Sequence, residues 1–138
     1  MQNKHVLLIL PLLFAVGCGG DIRVTGTVKL SNGSPLTDAA ILFESATASV
    51  FSHLDDGGNF TLYQMYPGDG VPPGVYRGQI QFDTSSVLPE SLTMDESRWR
   101  ALLEERMPFS TRYLSFETSE LTLTVERGKP VHLDIVLE

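Results

Sequence analysis

Seven short segments in which apolar and polar residues alternate constrain the fold of this chain more than any other feature. In residues 22–30, Val24 and Val28 fall on one face and Arg23 and Lys29 on the other. Such a period of two is typical of strands with one buried face. The predicted strands are residues 22–30, 39–44, 48–54, 59–65, 75–82, 120–126 and 131–137. Short strands at fairly even spacing predict an all-β fold, a seven-stranded antiparallel β-sandwich.

Glycine-rich turns separate the predicted strands. Asn32-Gly33 follows the first strand, and Asp55-Asp-Gly-Gly58 follows the third. These residues accept the backbone conformations that tight turns need. Gly26 lies within the first strand, where a glycine indicates a bulge or the close approach of a neighbouring backbone. The alternation predicts a core of Val24, Val28, Leu30, Ile41, Phe43, Phe60, Leu62, Tyr76, Ile80, Leu121, Leu123, Val125, Leu133 and Ile135.

One helix interrupts the strands, inside an excursion over about residues 84–112. The spacing predicts this helix from about residue 94 to residue 107, with Thr93 as N-cap, Glu96 completing a capping box and Pro108 ending it.

An apolar stripe on this helix has two interpretations. Trp99, Leu102 and Leu103 share one face. They either pack on a sheet and cover its edge, or form a candidate contact for a partner, since tryptophan is enriched at binding hot spots.

The first 18 residues predict export and attachment to a membrane. An apolar run from Val6 to Val16 follows Lys4 and suits a secretory leader, because a spanning helix needs about 20 such residues. Residues 15–18, Ala-Val-Gly-Cys, resemble the bacterial lipobox, in which the cysteine is lipidated and becomes the first mature residue. We therefore expect a signal peptide over 1–17, a lipidated tether over 18–21 and one domain over 22–138. The alternative is an ordinary signal peptide, with Cys18 incidental.

The acidic balance of the chain excludes some partners. Removing residues 1–17 takes away only Lys4, which leaves nine basic and 17 acidic residues and a formal net charge of −8. Such a surface repels nucleic acid and anionic headgroups, so we expect no nucleic-acid partner and membrane attachment through the lipid alone. Gly19 after Cys18 favours the outer membrane or the periplasmic face of the envelope, with inner against outer membrane left open.

Several motifs resemble one protein family. They are Val24-Thr-Gly-Thr-Val28, Asn32-Gly-Ser-Pro-Leu36, Ala39-Ala-Ile-Leu-Phe43, Asp55-Asp-Gly-Gly-Asn-Phe60 and Pro73-Gly-Val-Tyr76. Together they resemble carboxypeptidase regulatory-like domains, and residues 107–128 are similar to small planctomycete-type lipoproteins. The resemblance implies a seven-stranded transthyretin-like or immunoglobulin-like sandwich over residues 22–138. It implies no peptidase activity.

Residues able to do chemistry are few and scattered. His53 and His132 lack the HExxH or GxSxG spacing of zinc or serine enzymes, and His132 is predicted to lie solvated on the outer face of the last strand. Asp55, Asp56 and Asn59 form either a hairpin turn or a set of calcium ligands. We therefore predict no catalytic residue, cofactor or metal, with calcium at this turn left open.

These features predict a non-catalytic, membrane-anchored lipoprotein whose sandwich is a binding or structural module of the cell envelope. Its partner would be a protein or a glycan, met at an exposed sheet edge or at the 84–112 excursion. The alternative is a small envelope hydrolase or carbohydrate-active protein with an unrecognised site. A deep pocket joining His53 or His132 to carboxylates would favour that alternative.

Replacing Cys18 with serine should abolish lipid attachment, because serine has no thiol to acylate. We expect the wild-type protein to partition into detergent and to incorporate labelled fatty acid, and Cys18→Ser to do neither. Wild-type protein that remains unlabelled and in the aqueous phase would contradict lipidation.

Overall fold

The computed structural model describes residues 21–88, 93 and 95–138. The predicted leader and the predicted lipidation site, Cys18, lie outside these residues. Within the described part of the chain, no helix is both long and apolar enough to cross a membrane.

The described residues form seven strands and one α-helix. In chain order they are β1 (Val24–Leu30), β2 (Ala39–Glu44), β3 (Ser49–His53), β4 (Asn59–Thr61), β5 (Gly74–Phe82), α1 (Glu96–Arg106), β6 (Thr122–Val125) and β7 (Val131–Leu137). Every predicted strand is therefore present. The fourth is shorter than predicted, because the chain leaves β4 after Thr61 and Tyr63 instead bridges Phe51 of β3.

The strands form two sheets, in the orders β4-β1-β7 and β3-β2-β5-β6. The four-stranded sheet is antiparallel throughout. In the three-stranded sheet, however, β1 and β7 run parallel, from Val24 opposite Val131 to Leu30 opposite Leu137. The prediction of a seven-stranded antiparallel sandwich is therefore wrong for this one pair of strands. The error arises because residues 126–130 connect β6 in one sheet to β7 in the other, and so do not close a hairpin.

Side chains from both sheets form a single apolar core, so the fold is mostly β and sandwich-like. Ten of the predicted core residues are buried: Val24, Val28, Ile41, Phe43, Phe60, Leu62, Tyr76, Ile80, Leu123 and Val125. Leu30, Leu121, Leu133 and Ile135 are half-buried and pack against this core. Tyr76 donates its hydroxyl to the carbonyl of Pro72 at 2.6 Å, which satisfies its polar end.

Neighbouring atoms approach Gly26 closely, as predicted from its position in a strand. The register places it opposite Phe60, and a Cβ at this position would collide with the Phe60 ring and with the carbonyl of Leu133. Gly78 is related to Phe43 in the same way, since it lies opposite Phe43 and its Cβ would be 2.6 Å from the ring. Each sheet therefore holds a buried ring in the space that a glycine leaves.

Helix α1 begins two residues later than predicted. Asp95, not Thr93, is the N-cap, because its carboxylate accepts hydrogen bonds from the Arg98 N–H at 2.9 Å and the Ser97 hydroxyl at 2.8 Å. The helix ends at Arg106, and Pro108 follows its C-cap as predicted.

Truncating Phe60 to alanine should destabilise the protein by about 3–5 kcal/mol, because the ring is buried and its removal leaves a cavity beside Gly26. Urea denaturation of a chain comprising residues 21–138 measures this loss, since the strands and their core lie within it. Thr124→Ala on the exposed face of β6 is the control and should stay within about 0.5 kcal/mol of wild type. A loss below about 1 kcal/mol for Phe60→Ala would contradict a core role.

Candidate functional site

A groove crosses the end of the molecule at which β1 and β5 finish and β2 begins. It consists of two adjoining depressions, with cavity volumes of about 450 and 660 Å³. Asp38, Phe82 and Asp83 line both depressions, which therefore form one continuous surface, here named the end groove.

Strand pairing brings the polar half of the end groove together. His53 is the last residue of β3, Gln81 lies near the end of β5, and Asp38 directly precedes β2. In the ladder, Ala40 lies opposite both His53 and Gln81, so these residues form one row across the sheet. Asp56 joins them from the turn after β3.

Asp38 has an unusual backbone conformation. Its φ of 55° lies in the left-handed region, which aspartate tolerates better than most residues but which still costs energy. The following residue, Ala39, accepts a 2.9 Å hydrogen bond from the Leu54 N–H, which fixes the chain at this corner. Strained residues of this kind cluster at ligand sites.

The ionisable side chains lining the end groove are three aspartates and one histidine. They comprise Asp38, Asp56, Asp83 and His53, and no Lys or Arg is among the described lining residues. Hydrogen bonds from the Ser85 hydroxyl at 2.6 Å and the Ser85 N–H at 3.0 Å hold the pKa of Asp83 below its ordinary value. The groove thus favours neutral or basic ligands and repels anions.

The second depression has an apolar floor. Leu36 is buried there, Phe82 is half-buried, and Pro35 and Pro108 lie beside them. The Phe82 ring meets Phe109 edge-to-face, with centroids 5.6 Å apart, which holds the floor in place. An apolar surface with a few convergent polar groups is the usual composition of a binding site.

The polar half contains one part of what the hydrolase alternative predicts, since His53 shares a depression with three aspartates, but that depression is open to solvent and not a deep pocket. The geometry of a nucleophile, base and orienting group is not formed among the described residues, however. No described carboxylate hydrogen-bonds to His53, whose ring packs edge-on against Phe51, and Asp83 is engaged by Ser85. The described residues also contain no group of three or more His, Cys, Asp or Glu able to hold a metal ion.

The turn at Asp55, beside the end groove, is held by hydrogen bonds from N–H groups of the turn to the Asp55 carboxylate. Asp55 Oδ1 accepts hydrogen bonds from the Gly57 N–H at 2.9 Å, the Asn59 N–H at 2.8 Å and the Asn59 Nδ2 at 3.1 Å. The Asn59 backbone bond, followed by those from Gly57 and the Asn59 side chain, lowers the pKa of Asp55. The chain therefore turns at Asp55, with the carboxylate facing donors, but β3 and β4 lie in different sheets and the turn closes no hairpin. Calcium binding at this turn stays a prediction.

The other candidate residues lie apart from the end groove. His132 is exposed on the outer face of β7, as predicted. Leu103 is buried, and Trp99 and Leu102 are half-buried against the core, which agrees with the packing interpretation of the helix stripe. Contact of this stripe with a partner stays a prediction. Cys18 lies outside the described residues.

Sequence reasoning missed the grouping of Asp38, Gln81 and Asp83 with His53. The one available signal was that each of these residues lies at or beside the end of a predicted strand. Without the strand order, that position does not show which residues come together. Comparison with known proteins adds no relative, because no protein-family model and no curated protein matches the chain.

Replacing Asp55 with asparagine should make stability less sensitive to acid. A folded-state pKa below the unfolded value stabilises the protein above that unfolded value, and this contribution is lost as the pH falls through the folded value. Wild-type unfolding free energy should therefore drop as the pH falls from about 5 to about 2, and Asp55→Asn should drop less steeply. Chemical denaturation across this range measures both slopes.

Asp56→Asn is the matched control, because it removes the same charge one residue away and none of these turn hydrogen bonds. It should leave the acid slope closer to that of the wild type. Equal slopes for Asp55→Asn and the wild type would show that the Asp55 hydrogen bonds do not stabilise the folded state.

Proposed function

We propose that the chain is a lipid-anchored, non-catalytic binding module of the bacterial cell envelope, and that its ligand occupies the end groove. The observation that carries this proposal is the position of the groove relative to the start of the domain. Ile22, just before β1, bridges Val71 at one end of the molecule, whereas the end groove includes Leu30, the last residue of β1.

A lipid on Cys18 would therefore turn the end groove away from the membrane. Only Gly19, Gly20 and Asp21 separate Cys18 from Ile22, so the bridged end would stay close to the bilayer. The seven residues of β1 span roughly 20 Å at about 3.3 Å per residue. The groove would then face outward, where a partner can reach it.

The chemistry of the end groove favours a protein segment as the ligand. Aspartates at 38, 56 and 83 attract basic groups, and Leu36 and Phe82 offer an apolar floor. A segment that combines a Lys or Arg with apolar side chains matches both halves. A neutral glycan is the second candidate, because carboxylates accept hydrogen bonds from hydroxyl groups and the Gln81 amide both donates and accepts them.

We also propose that the domain belongs to the carboxypeptidase regulatory-like domains and has their transthyretin-like sandwich. The support for this proposal is that the motif residues have distinct physical tasks in the fold. Gly26 makes room for Phe60, Asp55 caps the turn into β4, and Gly74 opens β5 just before the buried Tyr76.

A small hydrolase is the competing function, and the grouping of His53 with aspartates is the observation in its favour. The two functions differ in their response to one change. His53→Ala would remove all turnover by a hydrolase that uses this residue as a base, whereas it would only alter the affinity of a binding module.

Reversing one charge in the end groove should weaken binding of a basic ligand by about tenfold or more, since that factor needs only about 1.4 kcal/mol. We expect peptides or glycans retained on arrays by the wild-type protein to be lost with Asp56→Lys. Binding should also weaken with added salt if the ligand is basic.

Glu104→Lys is the control, because it makes the same charge change on an exposed position of α1 outside the groove. It should retain the array pattern of the wild type. Equal binding by Asp56→Lys and the wild type would move the ligand site away from the end groove.

A further inference from the structure

Strand β7 presents the longest uncovered sheet edge in the described part of the chain. The other edge strands are β4, β6 and β3, with three, four and five residues, and β3 is bridged by Tyr63. Strand β7 has seven residues and pairs only with β1 among the described strands. It carries neither the lysine nor the proline that commonly protects such an edge.

The inner face of β7 leaves the core partly open. Val131, Leu133 and Ile135 point toward the core but are only half-buried, whereas Val24 and Val28 on the adjacent β1 are fully buried. Apolar side chains along this edge therefore keep surface that a further strand would cover.

The backbone of β7 offers hydrogen bonds at fixed positions. The Val131 N–H donates to the Arg23 carbonyl at 3.1 Å. The backbone N–H and C=O groups of Val131, and of every second residue after it, therefore point toward β1. The N–H and C=O groups of His132, Asp134 and Val136 consequently point to the open edge.

We propose that β7 pairs with β7 of a second copy of this chain, antiparallel and centred on Leu133. In this register His132 lies opposite Asp134 of the second copy, and Asp134 lies opposite its His132. These are the residues whose backbone groups face outward, so each pair exchanges both backbone hydrogen bonds. On the inner face, Val131 lies opposite Ile135 of the second copy, which covers the half-buried apolar surface.

The side chains that would lie opposite each other select this register over its neighbours. Centring the pair on Asp134 or on His132 would place two like residues opposite each other, and a shift by a single residue would put inner side chains opposite outer ones. Centring on Leu133 produces two His–Asp pairs by symmetry, as expected for an interface that uses the same patch of both copies.

On the outer face of β7, neighbours within one chain already hold the side chains of His132 and Asp134 in place. Within one chain, Asp134 Oδ1 accepts from the Thr27 hydroxyl at 3.0 Å and lies 3.2 Å from His132 Nε2, while Thr25 Oγ1 contacts His132 Nδ1 at 2.9 Å. Asp134 Oδ2 has no hydrogen-bond partner among the described residues and remains available to the second copy. Arg23 and Lys29 are the charged residues of β1 on this face.

Cysteine cross-linking in the intact envelope tests the register with the full chain. Leu133→Cys should form a disulfide-linked dimer, because opposed residues that do not share hydrogen bonds have Cα atoms about 4.5 Å apart. Val131→Cys is the control. The Cys residues of two copies would then be offset by four positions, roughly 13 Å, and should not link.

Coexpression of Val131→Cys with Ile135→Cys should restore a link between the two different chains. The wild type and the Cys18→Ser background are run alongside. A dimer that links through Cys18 in the wild type would show that this thiol is free and defeat the lipid anchor. Leu133→Cys in the Cys18→Ser background would still report on β7.

Changing the charges at positions 132 and 134 supplies the second test in the same assay. In the Leu133→Cys chain, His132→Glu places two carboxylates opposite each other and should lower the yield of dimer by about tenfold or more. Adding Asp134→Lys should restore the yield, since the carboxylate introduced at position 132 would then face the ammonium group introduced at position 134 of the second copy.

Three results would overturn the proposal. They are a folded Leu133→Cys chain that forms no dimer, a Val131→Cys chain that links equally well, and a Leu133→Cys adduct with a different protein. The last would mean that β7 accepts a strand from another partner. Thermal melting of each variant shows whether a negative result comes from loss of fold.

Discussion

The packing of this molecule depends on two buried aromatic rings, each opposite a glycine on a neighbouring strand. Phe60 lies opposite Gly26 in the three-stranded sheet, and Phe43 lies opposite Gly78 in the four-stranded one. A side chain at either glycine would displace the ring into space that the other sheet occupies. Because the rings come from opposite sheets and enter one core, displacing either ring would disturb the packing of both sheets.

The end groove follows from that sheet geometry. Once β2 pairs with β3 on one side and β5 on the other, the residues at their shared end form a row whose members come from distant parts of the sequence. The hydrogen bond from the Leu54 N–H to the Ala39 carbonyl fixes the backbone beside Asp38, and the Ser85 hydrogen bonds hold Asp83, so two carboxylates stay at that end. The floor is held separately by the contact of Phe82 with Phe109. The end groove thus combines an acidic row with an apolar floor.

Local patterns predicted the elements of this fold but not their mutual arrangement. The period of two located all seven strands, because burial of one face is a property of each strand alone. The direction in which β7 runs beside β1 was predicted wrongly, since alternation is the same in parallel and antiparallel strands and cannot tell them apart. The helix cap was placed at Thr93 instead of Asp95 because both residue types cap helices and only the backbone path decides between them.

The same limit applies to the end groove. His53 was recognised as a residue able to do chemistry, but its neighbours Asp38 and Gln81 are 15 and 28 positions away in the chain. Only the strand order brings them together. By contrast, the Asp55 turn was predictable, because all of its hydrogen bonds close within five residues.

The position of β1 between β4 and β7 has a mechanical consequence. A pull transmitted from an N-terminal anchor to a ligand held at the end groove would run along the axis of β1. The backbone hydrogen bonds on both of its sides lie across that axis, so the ladders would be loaded in shear and would resist together. A terminal strand at a sheet edge could instead be peeled away one bond at a time. The hydrogen bonds to β4 and β7 would therefore share the load, and no single bond would have to break first.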